Sequence, residues 1–169
     1  ARHGIDFDKG LTPEQKGIAW AVEKMLEDHL YWAVVSERWT DDANFDKGPR
    51  HFFRAAPAPI RPLVIAMVRR KVKRNLWGHG IGRHSRAELV QLGTRAIDAL
   101  AGILGDKPYL TGNTPCGADA ALAAFVMSLL CPLFTTELRT ATERHANLVA
   151  YAARIRAEFY PELASLKAA

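Results

Sequence analysis

The sequence predicts an all-α protein, and three observations lead to that fold class. Alanine is abundant, and apolar residues make up 49% of the 169 residues against 24% charged, an ordinary composition for a globular domain. Few stretches alternate apolar with polar residues, as half-buried strands would. Helix-start and helix-stop signals divide the chain into segments of helical length. We therefore expect a helical bundle in which amphipathic helices surround one fully buried central helix.

The first predicted helix begins after Thr12 and runs to about Thr40. Thr12 can cap it, Pro13 suits its first turn, and Gln15 can complete a capping box with Thr12. In its second half, residues 30–35 are apolar all round. A helix with no polar side must be covered on every side, so we expect this stretch to meet the core and a second surface.

A polar turn region is expected over residues 41–50, followed by a short helix at 51–56. The next helix is predicted from residue 60 or 61 to Trp77. Three glycines then mark a loop over residues 78–84, because glycine at that density indicates turns or close backbone approach.

Ser85 and Glu88 have the spacing of a capping box for the following helix. That helix is expected to run to about Leu104, and Gly105 occupies the usual position of a left-handed cap. Residues 106–115 then form a turn-rich connection.

The helix after this connection is predicted to be the buried centre of the bundle. Cys116 and Asp119 occupy its capping-box positions, and Ser128 is its main polar residue between Ala120 and Cys131. A helix without a solvent face belongs inside the bundle. Two amphipathic helices complete the fold, over residues 136–144 and 146–160.

Charge and cysteine content narrow the classes of function. The net charge is +5, and much of the excess lies in the basic run at residues 69–74. Such a run is typical of a solvated helix face; an anionic partner, nucleic acid or lipid surface, is the alternative. We expect neither a nucleic acid nor a membrane as partner. Two cysteines form no disulfide framework, which favours a cytoplasmic protein. The chain begins at Ala1, so we expect a processed chain or a fragment.

Three local features have an unremarkable interpretation and a functional one. His79 and His84 flank the glycine-rich loop, but no third ligand suggests itself, so no metal site is expected. The loop glycines could cradle an anion, although no strand precedes them. A thiol at the start of a helix, as at Cys116, is redox-sensitive if exposed; burial is the alternative.

The string GDKPYLTG at residues 105–112, followed by ADA at 118–120, resembles the C-terminal domain of glutathione transferases. In that family Ser or Thr stands where this chain has Cys116, and Asp119 matches the second capping residue. GIGRHS at 80–85, LED at 26–28 with YW at 31–32, and NLVAY at 147–151 are similar to the metaxin and failed-axon-connections branch and its bacterial transferase-like relatives.

The resemblance implies a division of the protein. Residues 1–11 would be a linker or tail, 12–162 the helical domain and 163–169 a tail. A thioredoxin-like N-terminal domain, which carries the catalytic group and most of the glutathione site, would be absent from this chain. The implied function is the electrophile-side domain of an enzyme that conjugates the co-substrate glutathione to a small electrophile. We expect this chain alone to be inactive. The alternative is a non-catalytic, metaxin-like interaction or dimerisation module. The implied partners are a second copy or the thioredoxin-like domain.

The resemblance also implies binding residues, though no catalytic one within this chain. Asp28 would position the γ-glutamyl amine of glutathione in the partner subunit; alternatively it is a surface carboxylate paired with Lys24. A pocket for the electrophile would lie further along the first helix; alternatively these side chains serve core or interdomain packing. The residues of this substrate pocket are Tyr31, Val35, Arg38 and Trp39.

Overall fold

The computed structural model describes residues 6–162; the predicted C-terminal tail at 163–169 and the first part of the predicted linker, at 1–5, lie outside that range. Within it the fold is all-α, as predicted, with no strand and one isolated bridge between Tyr109 and Gly112. The α-helices are α1 (Pro13–Lys24), α2 (Tyr31–Trp39), α3 (Asp42–Lys47), α4 (Arg61–His79), α5 (Arg86–Leu104), α6 (Gly117–Leu129), α7 (Glu137–Glu143) and α8 (Ala146–Phe159).

The first long helix is continuous but contains one irregular turn. At its start the Thr12 hydroxyl accepts a hydrogen bond from the backbone N–H of Gln15 at 3.2 Å, and the Gln15 side chain accepts one from the N–H of Thr12 at 2.9 Å. Between α1 and α2, Met25–Leu30 is π-helical. Because a π turn holds more residues than an α turn, it changes which side chains face the core after it. Leu26 and Leu30 are both fully buried there.

The region that follows α2 differs from its prediction. Residues 41–50 are not simply a turn, because Asp41 caps α3 by accepting a hydrogen bond from the N–H of Asn44 at 2.9 Å. Phe45, which is buried, anchors that helix in the bundle. The short helix predicted at 51–56 lies earlier, as the 3₁₀ turn Pro49–Phe53. Asp is common both at the N-cap of a helix and in a turn. The local sequence around Asp41 therefore does not distinguish a short helix from a turn.

The glycine-rich loop is shorter than predicted. α4 continues through Gly78 to His79 and is capped by Gly80, whose φ of 104° belongs to the left-handed region. The 3₁₀ turn Ile81–Arg83 follows. A β-carbon at Gly82 would lie 2.7 Å from the backbone nitrogen of Trp77, so this glycine permits the loop to return closely against α4.

α6 lies at the centre of the helix packing, where it contacts α1, the π turn, α7 and α8. Its predicted full burial is wrong for this chain. Leu122 and Val126 are completely buried, whereas Ala120 and Ala124 are exposed and Phe125 is half-buried. The physical reason is that the apolar face carrying Ala124 and Phe125 lines an open groove. Within residues 6–162, none of the helices combines the length and apolar character that crossing a bilayer requires.

Candidate functional site

The four residues predicted to form the substrate pocket lie together at one groove between α2 and α6. The groove has a volume of about 330 Å³. Sequence reasoning missed its α6 wall, since that helix was expected to be buried on all sides. The sequence signal that could have indicated this wall is that α6 is apolar on more sides than the other helices of the bundle cover. The lining residues are Tyr31, Val34, Val35, Arg38, Trp39, Ala124, Phe125 and Ser128.

Aromatic contacts hold Tyr31 at the mouth of the groove. Its side chain is 46% exposed, and its ring meets the edge of Trp32 at 5.2 Å between centroids. Trp32 in turn stacks on His79 at 4.6 Å. This row of rings fixes the position of Tyr31, and about half of its side chain stays exposed.

Arg38 is the cation of the groove, and it is largely occupied by the bundle. Its Nη2 donates a hydrogen bond to the backbone carbonyl of Ser128 at 2.6 Å, and its guanidinium lies 4.2 Å from the ring centre of Phe134. Burial lowers the pKa of Arg38. By binding a carbonyl in the last turn of α6, Arg38 joins that helix to α2. The groove is therefore mainly apolar and aromatic in character.

Trp39 serves packing as well as the groove. Its ring lies 5.8 Å from Phe45 of α3 and 6.4 Å from Phe52 of the 3₁₀ turn. These contacts attach the segment after α2 to the end of that helix. Trp39 therefore both packs against this segment and lines the groove.

Asp28 lies on the π turn, exposed to solvent, and does not line the groove. The alternative pairing with Lys24 does not form a hydrogen bond, because Lys24 binds Glu27 at 2.6 Å instead. That hydrogen bond raises the pKa of Lys24. The carboxylate of Asp28 makes no hydrogen bond with any residue from 6 to 162.

Asp119 connects more elements than a capping residue alone would. Its carboxylate accepts hydrogen bonds from the N–H of Cys116, the N–H of Leu110 and the hydroxyl of Tyr151, each at 2.9 Å. Asp119 and Tyr151 are both buried, and burial together with the nearby carboxylate raises the pKa of Tyr151. Asp119 thus joins α6 to the preceding connection and to α8.

The second capping box lies at the surface. Glu88 accepts a hydrogen bond from the N–H of Ser85 at 2.7 Å, and the N–H of Glu88 donates to the Ser85 hydroxyl at 3.3 Å. The Glu88 carboxylate also accepts a hydrogen bond from the Ser85 hydroxyl at 2.8 Å. The bonds that it accepts from the N–H and the hydroxyl of Ser85 lower the pKa of Glu88. The two boxes have the same local pattern but opposite environments, one exposed and one buried.

The structure gives no functional site at the other residues that the sequence singled out, namely Cys116, His84 and the basic run at 69–74. Cys116 is buried, and burial raises the pKa of its thiol, so the exposure that a redox site requires is missing. His84 lies 3.9 Å from Glu88. In the described part of the chain, no three His, Cys, Asp or Glu side chains are grouped to hold a metal ion. The basic run is not one surface, because Arg69 is half-buried and pairs with Asp42 at 2.6 Å.

Comparison with known proteins gives two family matches and several relatives. The glutathione S-transferase C-terminal domain matches residues 93–155, and the glutathione S-transferase N-terminal domain matches residues 1–44. An isoprene-epoxide–glutathione S-transferase of Rhodococcus sp. (strain AD45) is 27% identical over 94% of this chain and 67% of its own length. Failed axon connections of Drosophila melanogaster is 29% identical over 92% of this chain and 40% of its own length. Metaxin-2 of Homo sapiens is 22% identical over 94% of this chain and 61% of its own length.

The chain is similar to the glutathione S-transferase superfamily over both matched segments. Its relatives include failed axon connections and the metaxins, the branch that the sequence motifs indicated. It spans between two fifths and two thirds of the length of these three relatives. No solved structure gives a significant match.

The two family matches leave residues 45–92 uncovered. Within residues 6–44, the N-terminal match falls on α1, the π turn, α2 and the start of α3, without a strand. The uncovered segment contains all of α4, the 3₁₀ turn Ile81–Arg83 and the beginning of α5.

Proposed function

We propose that this chain is the electrophile-side helical domain of a glutathione S-transferase-like protein. The observation that carries the proposal is the groove between α2 and α6, which unites all four predicted substrate-pocket residues. In this proposal a thioredoxin-like domain outside the chain binds glutathione, and the glutathione thiolate attacks an electrophilic carbon of the molecule in the groove. With an epoxide, the C–S bond forms as the ring C–O bond breaks, and the resulting alkoxide takes a proton from water. Tyr31, Val35 and Phe125 bind and orient that molecule and exclude water from it. Both cysteines are unpaired, which supports a cytoplasmic setting.

The ligand class follows from the charge state of the groove. Arg38 is occupied by Ser128 and Phe134, so a neutral apolar electrophile suits the site better than a carboxylate. The volume of about 330 Å³ is small for a ligand pocket, since such pockets typically have volumes of about 300–1,000 Å³. The Rhodococcus relative supports this choice, since its name gives an isoprene epoxide, a small apolar electrophile, as substrate.

Asp28 has a proposed role in binding glutathione. Its carboxylate is exposed and has no hydrogen bond in the described part of the chain, so it is free to accept one from the γ-glutamyl amine of glutathione held by a partner subunit. A charge-assisted hydrogen bond of this kind is stronger than a neutral one.

Filling the groove tests the electrophile site. Ala124→Phe places a ring in the groove from an exposed position of α6. We expect it to reduce kcat/KM for glutathione conjugation of a small apolar epoxide by about tenfold or more, mainly through KM, because the added ring occupies the space in which the substrate binds. The assay uses the longest natural chain that contains this sequence.

The matched control is Ala120→Phe, one turn earlier on α6, exposed but not part of the groove. It should leave kcat/KM within about twofold of the unmodified protein. Equal kinetics for Ala124→Phe and the unmodified enzyme would disprove the groove as the electrophile site. No conjugation by the longest natural chain would disprove the enzymatic proposal itself.

A non-catalytic interaction module is the second candidate, and exposed apolar side chains favour it. Trp20 on α1 is 65% exposed, and Tyr31 at the mouth of the groove is 46% exposed. Apolar patches of this kind commonly mark sites of protein association. In this proposal a second copy of the chain covers α1 and the mouth of the groove.

Sedimentation tests the module. The pure chain should show concentration-dependent dimerisation, and Tyr31→Asp should abolish it because a carboxylate would have to be buried without a partner. Lys71→Glu/Arg74→Glu, on the exposed basic face of α4, should retain the dimer, since exposed charges contribute little at physiological salt. A monomer at every concentration, or loss of the dimer only in the charge-reversal variant, would contradict the predicted surface.

A further inference from the structure

A second and larger cavity lies apart from the groove, between α2, α4, α5 and α7. Its volume is about 650 Å³, and it shares no lining residue with the groove. Roughly half of its lining comes from the segment 45–92, which neither family match covers. The cavity is therefore not part of the site proposed above, and its ligand has to be inferred from its own chemistry.

The acidic side chains of this cavity are already used by the fold. Glu37 accepts hydrogen bonds from the N–H groups of Glu137 and Leu138 at 3.1 and 3.4 Å, which caps α7. Burial raises the pKa of Glu37. Asp41 caps α3, and Asp42 pairs with Arg69. These carboxylates are therefore occupied, and a cationic ligand would have to compete with internal partners.

The basic side chains of the cavity are less fully used, since Arg86 forms two long ion pairs and Lys73 forms none in the described part of the chain. Lys73 makes no hydrogen bond or ion pair with any residue in the range 6–162. Arg86 lies 3.4 Å from a carboxylate oxygen of Glu137 and 3.7 Å from one of Asp41. Both distances exceed those of charge-assisted hydrogen bonds, about 2.7–2.9 Å. Lys73 is therefore the free cationic donor of the cavity, and Arg86 can add N–H groups that its two long ion pairs leave unused.

The floor and one wall of the cavity are apolar. Ala33, Leu76 and Leu138 are buried beneath it, and Trp77 is 60% exposed beside it. An apolar floor with an aromatic wall and a few polar groups is the usual composition of a small-molecule site.

We propose that this cavity binds a small organic monocarboxylate with an apolar or aromatic body. The carboxylate pairs with Lys73 and Arg86, and the body lies on Leu76 and Leu138 against Trp77. A ligand with more negative charge is disfavoured, because Glu37 and Asp41 line the same cavity and repel it. This inference does not depend on the proposed transferase function, since it uses different residues and a different ligand.

The test titrates the chain with phenylacetate, indole-3-acetate and octanoate by isothermal calorimetry, with phenylacetamide as the uncharged comparison. At least one carboxylate should bind with one-to-one stoichiometry, and phenylacetamide should bind at least about tenfold more weakly than phenylacetate, about 1.4 kcal/mol. Lys73→Gln/Arg86→Gln should weaken carboxylate binding by about tenfold or more.

Two controls separate this cavity from general charge and from the groove. Lys71→Gln/Arg95→Gln removes two exposed cations from the same helices, outside the cavity, and should leave the dissociation constant unchanged. Ala124→Phe should also leave it unchanged. The proposal is overturned if none of the three carboxylates binds in the millimolar range. Equal weakening by the Lys71/Arg95 control, or equal binding of phenylacetamide, would overturn it as well.

Discussion

Replacing Asp119 by alanine is expected to lower the free energy of unfolding by about 3–5 kcal/mol. The change leaves the N–H groups of Leu110 and Cys116 without an acceptor. The hydroxyl of Tyr151 loses the carboxylate and keeps only the backbone carbonyl of position 119, at 3.2 Å. Each buried polar group left unsatisfied costs about 1–3 kcal/mol, so the two N–H groups account for most of the expected loss. Urea unfolding followed by circular dichroism measures the loss.

The exposed capping box provides the matched control. Glu88→Ala removes the same second residue of the same motif, but at a position where water replaces the lost hydrogen bonds. Its loss of stability should be clearly smaller than that of Asp119→Ala. Equal losses in the two variants would show that Asp119 acts only as a local cap and that its bonds to Leu110 and Tyr151 carry no energy.

This contrast shows what local sequence can reveal about the fold. The pairs Thr12 with Gln15 and Ser85 with Glu88 were recognisable because both partners lie within one helical turn. The partner of Asp119 at Tyr151 lies 32 residues away, and no local pattern indicates it. The helix that Asp41 caps is likewise not recognisable from local sequence. α3 is stabilised by the burial of Phe45 against the rest of the bundle, which is a tertiary effect.

The candidate sites follow the same rule. The α2 side of the groove was predictable, since a family resemblance and a shared helix identified Tyr31, Val35 and Arg38. The α6 side was not predictable, because an apolar pattern indicates that a helix face is covered but does not indicate whether another helix or a ligand covers it. The second cavity depends on how α4 packs against α2 and α5, so Lys73 was seen as one charge in a basic run, not as a lone donor beside a cavity.

Leu122→Ala is expected to destabilise the chain by about 2–5 kcal/mol, the usual cost of removing a fully buried leucine side chain. Leu122 is 0% exposed on the inner face of α6, and the surrounding helices cannot close the space it leaves. Phe125→Ala should cost less, although its side chain is larger. Phe125 is half-buried at the groove, where water can occupy the vacated volume.

The pair of variants measures whether α6 is one-sided in solution. Thermal and urea unfolding of the pure chain should rank Leu122→Ala below Phe125→Ala in stability. A loss for Phe125→Ala that equals or exceeds that of Leu122→Ala would mean that the groove is covered, by a second copy or by a rearranged α2. Repeating the measurement across protein concentration separates these two causes, because only association makes the difference between the variants depend on concentration.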